Sequence, residues 1–409
     1  MFIGLLVCAI SVEISNVHPF SNSNNVTYIS KKSISGLYLT SPMISSIPRF
    51  DKTRLSFFSM NFRKLANSLY NGAASNILHF SSCSFKDSVS PIRINSVDRL
   101  KYKPQSKRIE KKDTDLTMRD VLFDFCTSTN EDGGALYTND CNVDLTDVEF
   151  VSCLALNAAG FYARHGRVTI QSSSFYRCSS RRDGGGLIAR ECELIMKQTY
   201  FVMNKADMKY GAFYQSYGYF HMTNVFVYEN IALRGFAGAT FEESTGQMGL
   251  CRFVENKSPI EEGGTAINVI STTDKLFIEF CTFGGGQSNY LRYRSDTQVW
   301  ISENCFDTNP TDSKTEDLDP TSPINPNNAP RWLNNHYYGQ CTPAPKLPPR
   351  FHKELFHHPE SAPQIEWWKL YTALGIFIFL IGIMAFSVPA VFFPLYTSGA
   401  TRKGESQNN

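Results

Sequence analysis

Short runs in which apolar and polar residues alternate recur through the middle of the chain, and Val143 to Val148 and Val168 to Gln171 are representative. A period of two places every second side chain on one buried face and predicts strands. No stretch of 11 or more residues in this region keeps a helical stripe, and its content of Val, Ile, Phe, Tyr and Thr favours strand as well. The runs also keep phase. Phe123, Phe150, Phe175, Phe201, Phe226, Phe253, Phe283 and Phe306 form a column with spacings of 27, 25, 26, 25, 27, 30 and 23. A second column of small residues, Gly134, Ala159, Gly185, Gly211, Gly238 and Gly264, steps by 25, 26, 26, 27 and 26.

A unit of about 26 residues with two or three strands cannot enclose a core alone. Coiling the chain so that equivalent residues stack about 4.8 Å apart places each Phe of the ladder on the one below and pairs backbone between coils. An Asn three residues after the Phe, as at Asn204 and Asn256, can then form an amide ladder, and the glycine column lets the backbone turn or pass close to its neighbour. The expected fold is all-β, a right-handed parallel β-helix of about eight or nine coils. Leucine-rich repeats need a Leu/Asn frame that this chain lacks, and propeller blades need about 40 residues each.

The paired motifs, with Gly133-Gly134-Ala135-Leu136, Gly263-Gly264-Thr265-Ala266-Ile267, Phe201 to Asn204 and Phe253 to Asn256 as the best examples, resemble the repeats of the polymorphic outer membrane proteins. Those are surface β-helices, also represented by membrane-anchored proteins of parasitic protists. The resemblance covers roughly residues 76 to 306 and implies a pectin lyase-like solenoid used in adhesion or host-surface interaction. The chain departs from the bacterial members in leaving no room for a C-terminal translocator barrel.

The flanks complete an expected layout. Residues 1–15 open with an apolar run of signal-peptide length, 16–75 are Ser/Asn-rich and are expected to cap the first coil, and 76–306 form the solenoid. Residues 307–366 contain eleven prolines and read as a stalk. From 367 to 396, Trp367 and Trp368 lead into an uncharged apolar stretch long enough to span a bilayer, leaving 397–409 as a tail. This predicts a single-pass, type I plasma-membrane glycoprotein with membrane lipid as one partner, or a tail-anchored cytosolic form if the leader does not function.

Composition narrows the chemistry. With 40 Lys+Arg against 38 Asp+Glu and 42% hydrophobic residues among 409, the chain is globular and lacks the charge of a dedicated nucleic-acid binder. Of eleven cysteines, Cys126, Cys153 and Cys178 share the position three after the Phe, and Cys251 and Cys281 share the position two before it. A Cys251–Cys281 disulfide, or one pair within the triplet, lies within stacking reach, as does an inert column of thiols. No Cys-x-x-Cys or His ligand spacing points to a metal, and no cofactor is expected. Asn25 and Asn256 begin glycosylation sequons, the second followed by Pro259. Arg99 to Lys112, with seven Lys/Arg, falls where the Phe85 to Phe123 step is 38, and reads as an insertion loop.

Polysaccharide-cleaving β-helices need an acid and a base on opposite sides of one bond. Asp132, Asp183 and Glu262 share one phase, but Asn157, Lys209 and Phe236 fill the coils between, so no two adjacent coils supply the carboxylates. Arg164-His165-Gly166-Arg167 looks superficially like a His-Gly element of galacturonan hydrolases. No catalytic residue emerges on this reading. The expectation is a non-enzymatic module for adhesion or recognition of extracellular glycan or protein, with a membrane-tethered polysaccharide lyase or hydrolase as the alternative.

Overall fold

The computed structural model describes residues 54–65, 68–72, 77–95, 115–259 and 331–337, most of 266–307, and the short strands at 26–30, 33–35, 44–45 and 315–316. The chain divides into two units, residues 1–344 and 345–409, and the second lies outside the described residues.

Every strand pairing among the described residues is parallel, and the chain winds as a right-handed β-solenoid of about eight turns. Each turn has three main sides and one narrow one. In one turn the first side is the start of the strand Phe161–Gln171 and the second side is its end. The third is Ser174–Tyr176, and the narrow side is the two-residue strand Ser179–Ser180. Residues on the same side of successive turns stand in register. Phe161 pairs with Leu187, Val168 with Leu194, Phe175 with Phe201, and Ser179 with Lys205.

The corners explain how strands bend without losing the ladder. Ser172, Gln198, Asn224, Leu250 and Phe280 occupy one corner of successive turns, each with φ close to +50°. A left-handed conformation costs a non-glycine residue roughly 1–2 kcal/mol. The ladder survives the bend, because Ser172 N–H still donates to Lys197 O (3.0 Å) and Gln198 N–H to Thr223 O (3.0 Å). Arg177, Met203, Glu229 and Glu255 do the same at the next corner.

The core is a set of vertical columns. Phe85, Phe123, Phe150, Phe175 and Phe201 stack with ring centroids 5.0, 5.1, 4.6 and 4.7 Å apart, and all five are buried. The column then changes residue. Phe201 pairs with Val227, and Val227 with Phe253, so Phe226 is not a rung. Phe226 faces outward between Tyr200 (4.9 Å) and the Arg252 guanidinium (5.1 Å). Strand alternation corrects the expectation here, because adjacent residues of a strand point to opposite faces. Phe253, Phe283 and Phe306 resume the stack at 5.5 and 4.8 Å.

Beside this column, Asn204, Asn230 and Asn256, each following the corner residue Met203, Glu229 or Glu255, form a buried amide ladder. Asn204 Nδ2 donates to Asn230 Oδ1 (2.9 Å) and Asn230 Nδ2 to Asn256 Oδ1 (2.9 Å). In the preceding turns Cys126, Cys153 and Cys178 take this position as free thiols. Cys251 and Cys281 are also free and buried, so of the two arrangements the sequence left open the fold holds the column of thiols and not the bridge. Asn256 is equally inaccessible, its amide committed to the ladder, which removes it as a glycosylation site.

The glycine motif divides its work between two residues. Gly133 and Gly184 adopt φ of +73° and +69°, whereas Gly134, Gly185, Gly211 and Gly238 pass so close to the neighbouring turn that a Cβ would meet a carbonyl oxygen at 2.4, 2.2, 2.6 and 2.0 Å. Gly264 and Asn25 lie outside the described residues.

The solenoid runs beyond both expected boundaries. Arg54–Phe58 and Asn61–Arg63 pair in parallel with Ile77–Lys86, and Phe57 and Phe62 stack on Phe80 and Phe85, so this part of the expected cap is built as a further turn. Arg331–Leu333 and His336–Tyr337 pair with Val299–Ser302 and Cys305–Phe306 and continue the stack into the expected stalk.

The leader (1–15), Arg99 to Lys112 and the apolar stretch 367–396 lie outside the described residues. Among the described residues there is no helix, and none long and apolar enough to cross a membrane. The single-pass anchor, the membrane-lipid partner and the type I or tail-anchored placements built on it thus find no support in the structure.

Candidate functional site

The first side carries a second apolar layer outside the core. Tyr162, Ile188 and Tyr214 stand in successive turns on its outer surface, covered by Ala158 and Tyr210 and flanked by Tyr137 and Phe236. Tyr137 and Tyr162 stack at 5.4 Å, with the Arg93 guanidinium 4.4 Å over the Tyr137 ring, and Tyr210 stacks on Tyr214 at 4.2 Å. Burial pushes the Tyr162, Tyr210 and Tyr214 phenols up, so all three are donors at neutral pH, and Tyr214 gives its proton in a hydrogen bond to Glu242.

At that corner, between the first and second sides, Asp140, His165 and Glu191 occupy equivalent positions on three successive turns with φ of 54°, 52° and 54°. His165 bridges the two carboxylates. Its Nδ1 lies 3.3 Å from Asp140 Oδ1 and 3.2 Å from Asn139 Oδ1, and its Nε2 lies 2.7 Å from Glu191 Oε2. Arg164 Nη2 approaches Glu191 Oε1 at 3.5 Å, and Arg164 is in register with Arg190. The three side chains keep 12%, 18% and 25% of their surface exposed in the order Asp140, His165, Glu191. They are desolvated enough to strengthen their mutual interaction and still within reach of a ligand.

Gly166 makes the close seating possible. It takes φ of +120°, and a Cβ there would lie 2.4 Å from Cys141 O. Cys141 and Cys192, the equivalents of Gly166 on either side, are buried free thiols, and burial pushes the Cys192 thiol up.

Other polar columns are structural by the same measure. Asn157 Nδ2 donates to Asp132 Oδ1 (2.7 Å), Asp183 N–H donates to Asn157 Oδ1 (3.2 Å), and Lys209 N–H donates to Asp183 Oδ1 (3.1 Å). That column, the one singled out in the sequence, is occupied in satisfying backbone amides; Glu262 lies outside the described residues. Asp115 and Asn142 likewise accept from Asn142 N–H and Arg167 N–H. Asp140 and Glu191 hold no backbone amide among the described residues; their contacts are with the side chains of His165 and Arg164.

Sequence reasoning isolated Arg164-His165-Gly166-Arg167 but not its partners. Asp140 and Glu191 sit 25 and 26 residues away, the period of both sequence columns, so the same alignment extended to that phase finds them. The acid pair is two turns apart, with the imidazole in the turn between.

The fold and this corner define a right-handed parallel β-solenoid, of pectin lyase-like type, with a lateral Asp–His–Glu cluster. No protein-family model and no curated protein sequence matches the chain. The resemblance to membrane-anchored polymorphic outer membrane proteins thus carries over as solenoid architecture alone, and the adhesion role drawn from it is not retained. Among the described residues no group of His, Cys, Asp and Glu is arranged to hold a metal ion.

Proposed function

We propose that this protein is a polysaccharide-cleaving enzyme of the β-solenoid class and that the Asp140–His165–Glu191 corner is its acid–base centre. The observation that supports this reading is the bridged pair of carboxylates on the outer edge of the stack, neither holding the backbone. Two turns of separation correspond to roughly 10 Å between their backbones. Glycosidases that invert the anomeric centre keep their carboxyls about 6.5–9.5 Å apart with a water between them; here the His165 imidazole stands between the two, so sugar and water reach them from the exposed face of the corner.

In such a reaction one carboxyl protonates the glycosidic oxygen as the C1–O bond breaks. The other takes a proton from the water whose oxygen forms the new bond to C1. The acid ends one proton short and the base one proton over, and His165, in contact with both, provides the path for its return. Arg164 and Arg190, on the first side next to Glu191, favour a substrate carrying carboxylates.

The test is incubation of the full chain with polygalacturonate, alginate and neutral glucans. New reducing ends without unsaturated products are expected on an acidic polymer, with the product anomer inverted by NMR. Glu191→Gln and Asp140→Asn are expected to reduce the rate at least 100-fold with the circular dichroism spectrum unchanged. Absence of new ends from every polymer, or full activity in Glu191→Gln, would refute the assignment.

A further inference from the structure

The narrow side of the solenoid is a second candidate surface, interleaved in sequence with the corner cluster but on a different side of each turn. Its strands are only two residues long, Ser179–Ser180, Lys205–Ala206 and Ile231–Ala232, with Lys257 bridged to Ile231 in the following turn. Ser179, Lys205, Ile231 and Lys257 thus stand in one outward column. Backbone bonds from Met208 N–H to Arg182 O (2.9 Å) and from Arg234 N–H to Met208 O (2.9 Å) put Arg182, Met208 and Arg234 in another.

The result is a cationic stripe. Arg181, Arg182, Lys205, Lys209, Arg234 and Lys257 are all exposed, against Asp183 and Asp207, which are half-buried. Lys205 is paired with Asp207 at 2.9 Å, and Asp183 is turned to the backbone of Lys209. The other five cations make no ion pair among the described residues. The neighbouring corner is mixed, with Arg177, Glu229 and Glu255, and Glu255 is engaged by the Tyr228 hydroxyl at 3.3 Å. Like charges in the same column are two turns apart, roughly 10 Å, for both Lys205 to Lys257 and Arg182 to Arg234.

Exposed cations repel one another, and folding gains nothing from aligning them. The alignment does suit a linear polymer with acidic groups at regular intervals. We infer that the stripe holds an acidic polysaccharide along the solenoid, as an anchoring surface outside the cleavage site. This inference rests on the proposed enzymatic reading for its purpose, although binding itself does not require cleavage. Carboxylate charge on the polymer, complementary to the unpaired cations, sets the choice of occupant.

The probe is polygalacturonate, with dextran as the neutral control, titrated calorimetrically into the full-length chain and into the triple variant Arg182→Ser/Arg234→Ser/Lys257→Ser. Wild type is expected to bind polygalacturonate and not dextran, with an affinity that falls steeply as salt is raised. The triple variant is expected to bind at least 10-fold more weakly, and Lys197→Ser, an exposed cation on the second side, to bind as wild type. Glu191→Gln should bind normally; loss of its cleavage with binding intact supports the catalytic assignment, full cleavage counts against that assignment, and neither outcome touches the stripe. No binding by wild type, equal binding by the triple variant, or equal affinity for duplex DNA would each overturn the inference.

Discussion

Asn230→Ala is the most direct test of what holds the turns together. The Asn230 amide makes four side-chain bonds. Its Oδ1 accepts from Asn204 N–H (2.9 Å) and Asn204 Nδ2 (2.9 Å), and its Nδ2 donates to Phe201 O (2.9 Å) and Asn256 Oδ1 (2.9 Å). The donor from Asn230's own backbone to Asn256 Oδ1 (3.1 Å) survives the substitution. Alanine therefore strands a buried backbone N–H, one amide N–H and a carbonyl where no water reaches. Each stranded group costs about 1–3 kcal/mol, and the combined expected loss is about 3–5 kcal/mol. Asn230→Cys makes a sharper comparison, because the preceding turns already use thiols here. Cys178 Sγ contacts Phe150 O at 3.4 Å, the counterpart of the bond from Asn204 Nδ2 to Phe175 O at 2.9 Å. Cysteine keeps that donor and a weak acceptor, so about half the alanine cost is expected. Urea denaturation followed by circular dichroism gives the order, and native-state hydrogen exchange at the Asn204 amide localises it, since repeat proteins open in parts. An alanine cost below about 1 kcal/mol, or a cysteine cost equal to it, would refute the argument that the amide column clamps adjacent turns.

Four further outcomes are expected. Gly185→Ala, whose Cβ would lie 2.2 Å from Gly211 O, should lower stability by about 2–3 kcal/mol, whereas Gly249→Ala, with its nearest contact at 3.8 Å, should be neutral within about 0.5 kcal/mol; equal denaturation midpoints would contradict this. Phe175→Ala, at the centre of the aromatic column, should cost about 3–5 kcal/mol by the same assay. Burial raises the Cys153, Cys178 and Cys281 thiols, so a thiol-reactive dye should label them only after unfolding; rapid labelling of the native protein would show the turns opening. The contribution of the buried thiols and phenols to stability should be level below about pH 8 and fall in alkali. The unfolded chain releases protons as pH passes 9.0 for thiols and 10.0 for phenols, while the buried Cys192, Tyr162 and Tyr214 retain theirs, so the native state loses ground until their raised folded values are passed. A urea midpoint that rose between pH 9 and pH 11 would contradict that sign.

The aromatic column was legible in the sequence because stacking demands the same residue type at the same phase, and Phe123 to Phe201 obey that demand. Phe226 misled for a physical reason. Composition marks a residue as aromatic, whereas alternation decides which way it points, and the 26-residue steps on either side of Val227 are more regular than the 25 and 27 that Phe226 gives. The turn before residue 76 was missed although Phe57 and Phe62 stand 23 residues before Phe80 and Phe85, because that step is shorter than the mean period. The C-terminal strands were hidden by prolines that composition reads as a stalk. The thiol column was located correctly, but the sequence alone left bridging and inert arrangements equally open; in the fold these thiols turn their sulfur atoms to backbone carbonyls, Cys281 to Glu279 O at 3.3 Å and Cys251 to Gly249 O at 3.3 Å.

The candidate site escaped for a different reason, and the reason bears on where chemistry can reside in such a fold. Along each side, inward positions are fixed by packing and the glycine column by close approach, so substitutions there act on stability first. A corner residue in the left-handed conformation is held by its backbone hydrogen bond to the next turn, as in Asp140 N–H to Arg164 O at 2.9 Å, and that bond is indifferent to the side chain. The described corners accordingly hold Asp, Ser, Gln, Leu, Phe, Met and Glu alike. Corner columns are the positions where a solenoid can bring acid, base and imidazole to about 4.8 Å spacing without disturbing its core. Their identities carry no packing signature, so they are found by phase and not by residue type. It follows that His165→Gln, which keeps a side chain able to bond on both sides, should leave the stability within about 0.5 kcal/mol of wild type. If the corner is the acid–base centre, the same variant should lose hydrolysis with its polygalacturonate binding intact; a loss of several kcal/mol in stability would instead show that the cluster clamps the turns, and the catalytic assignment would fall with it.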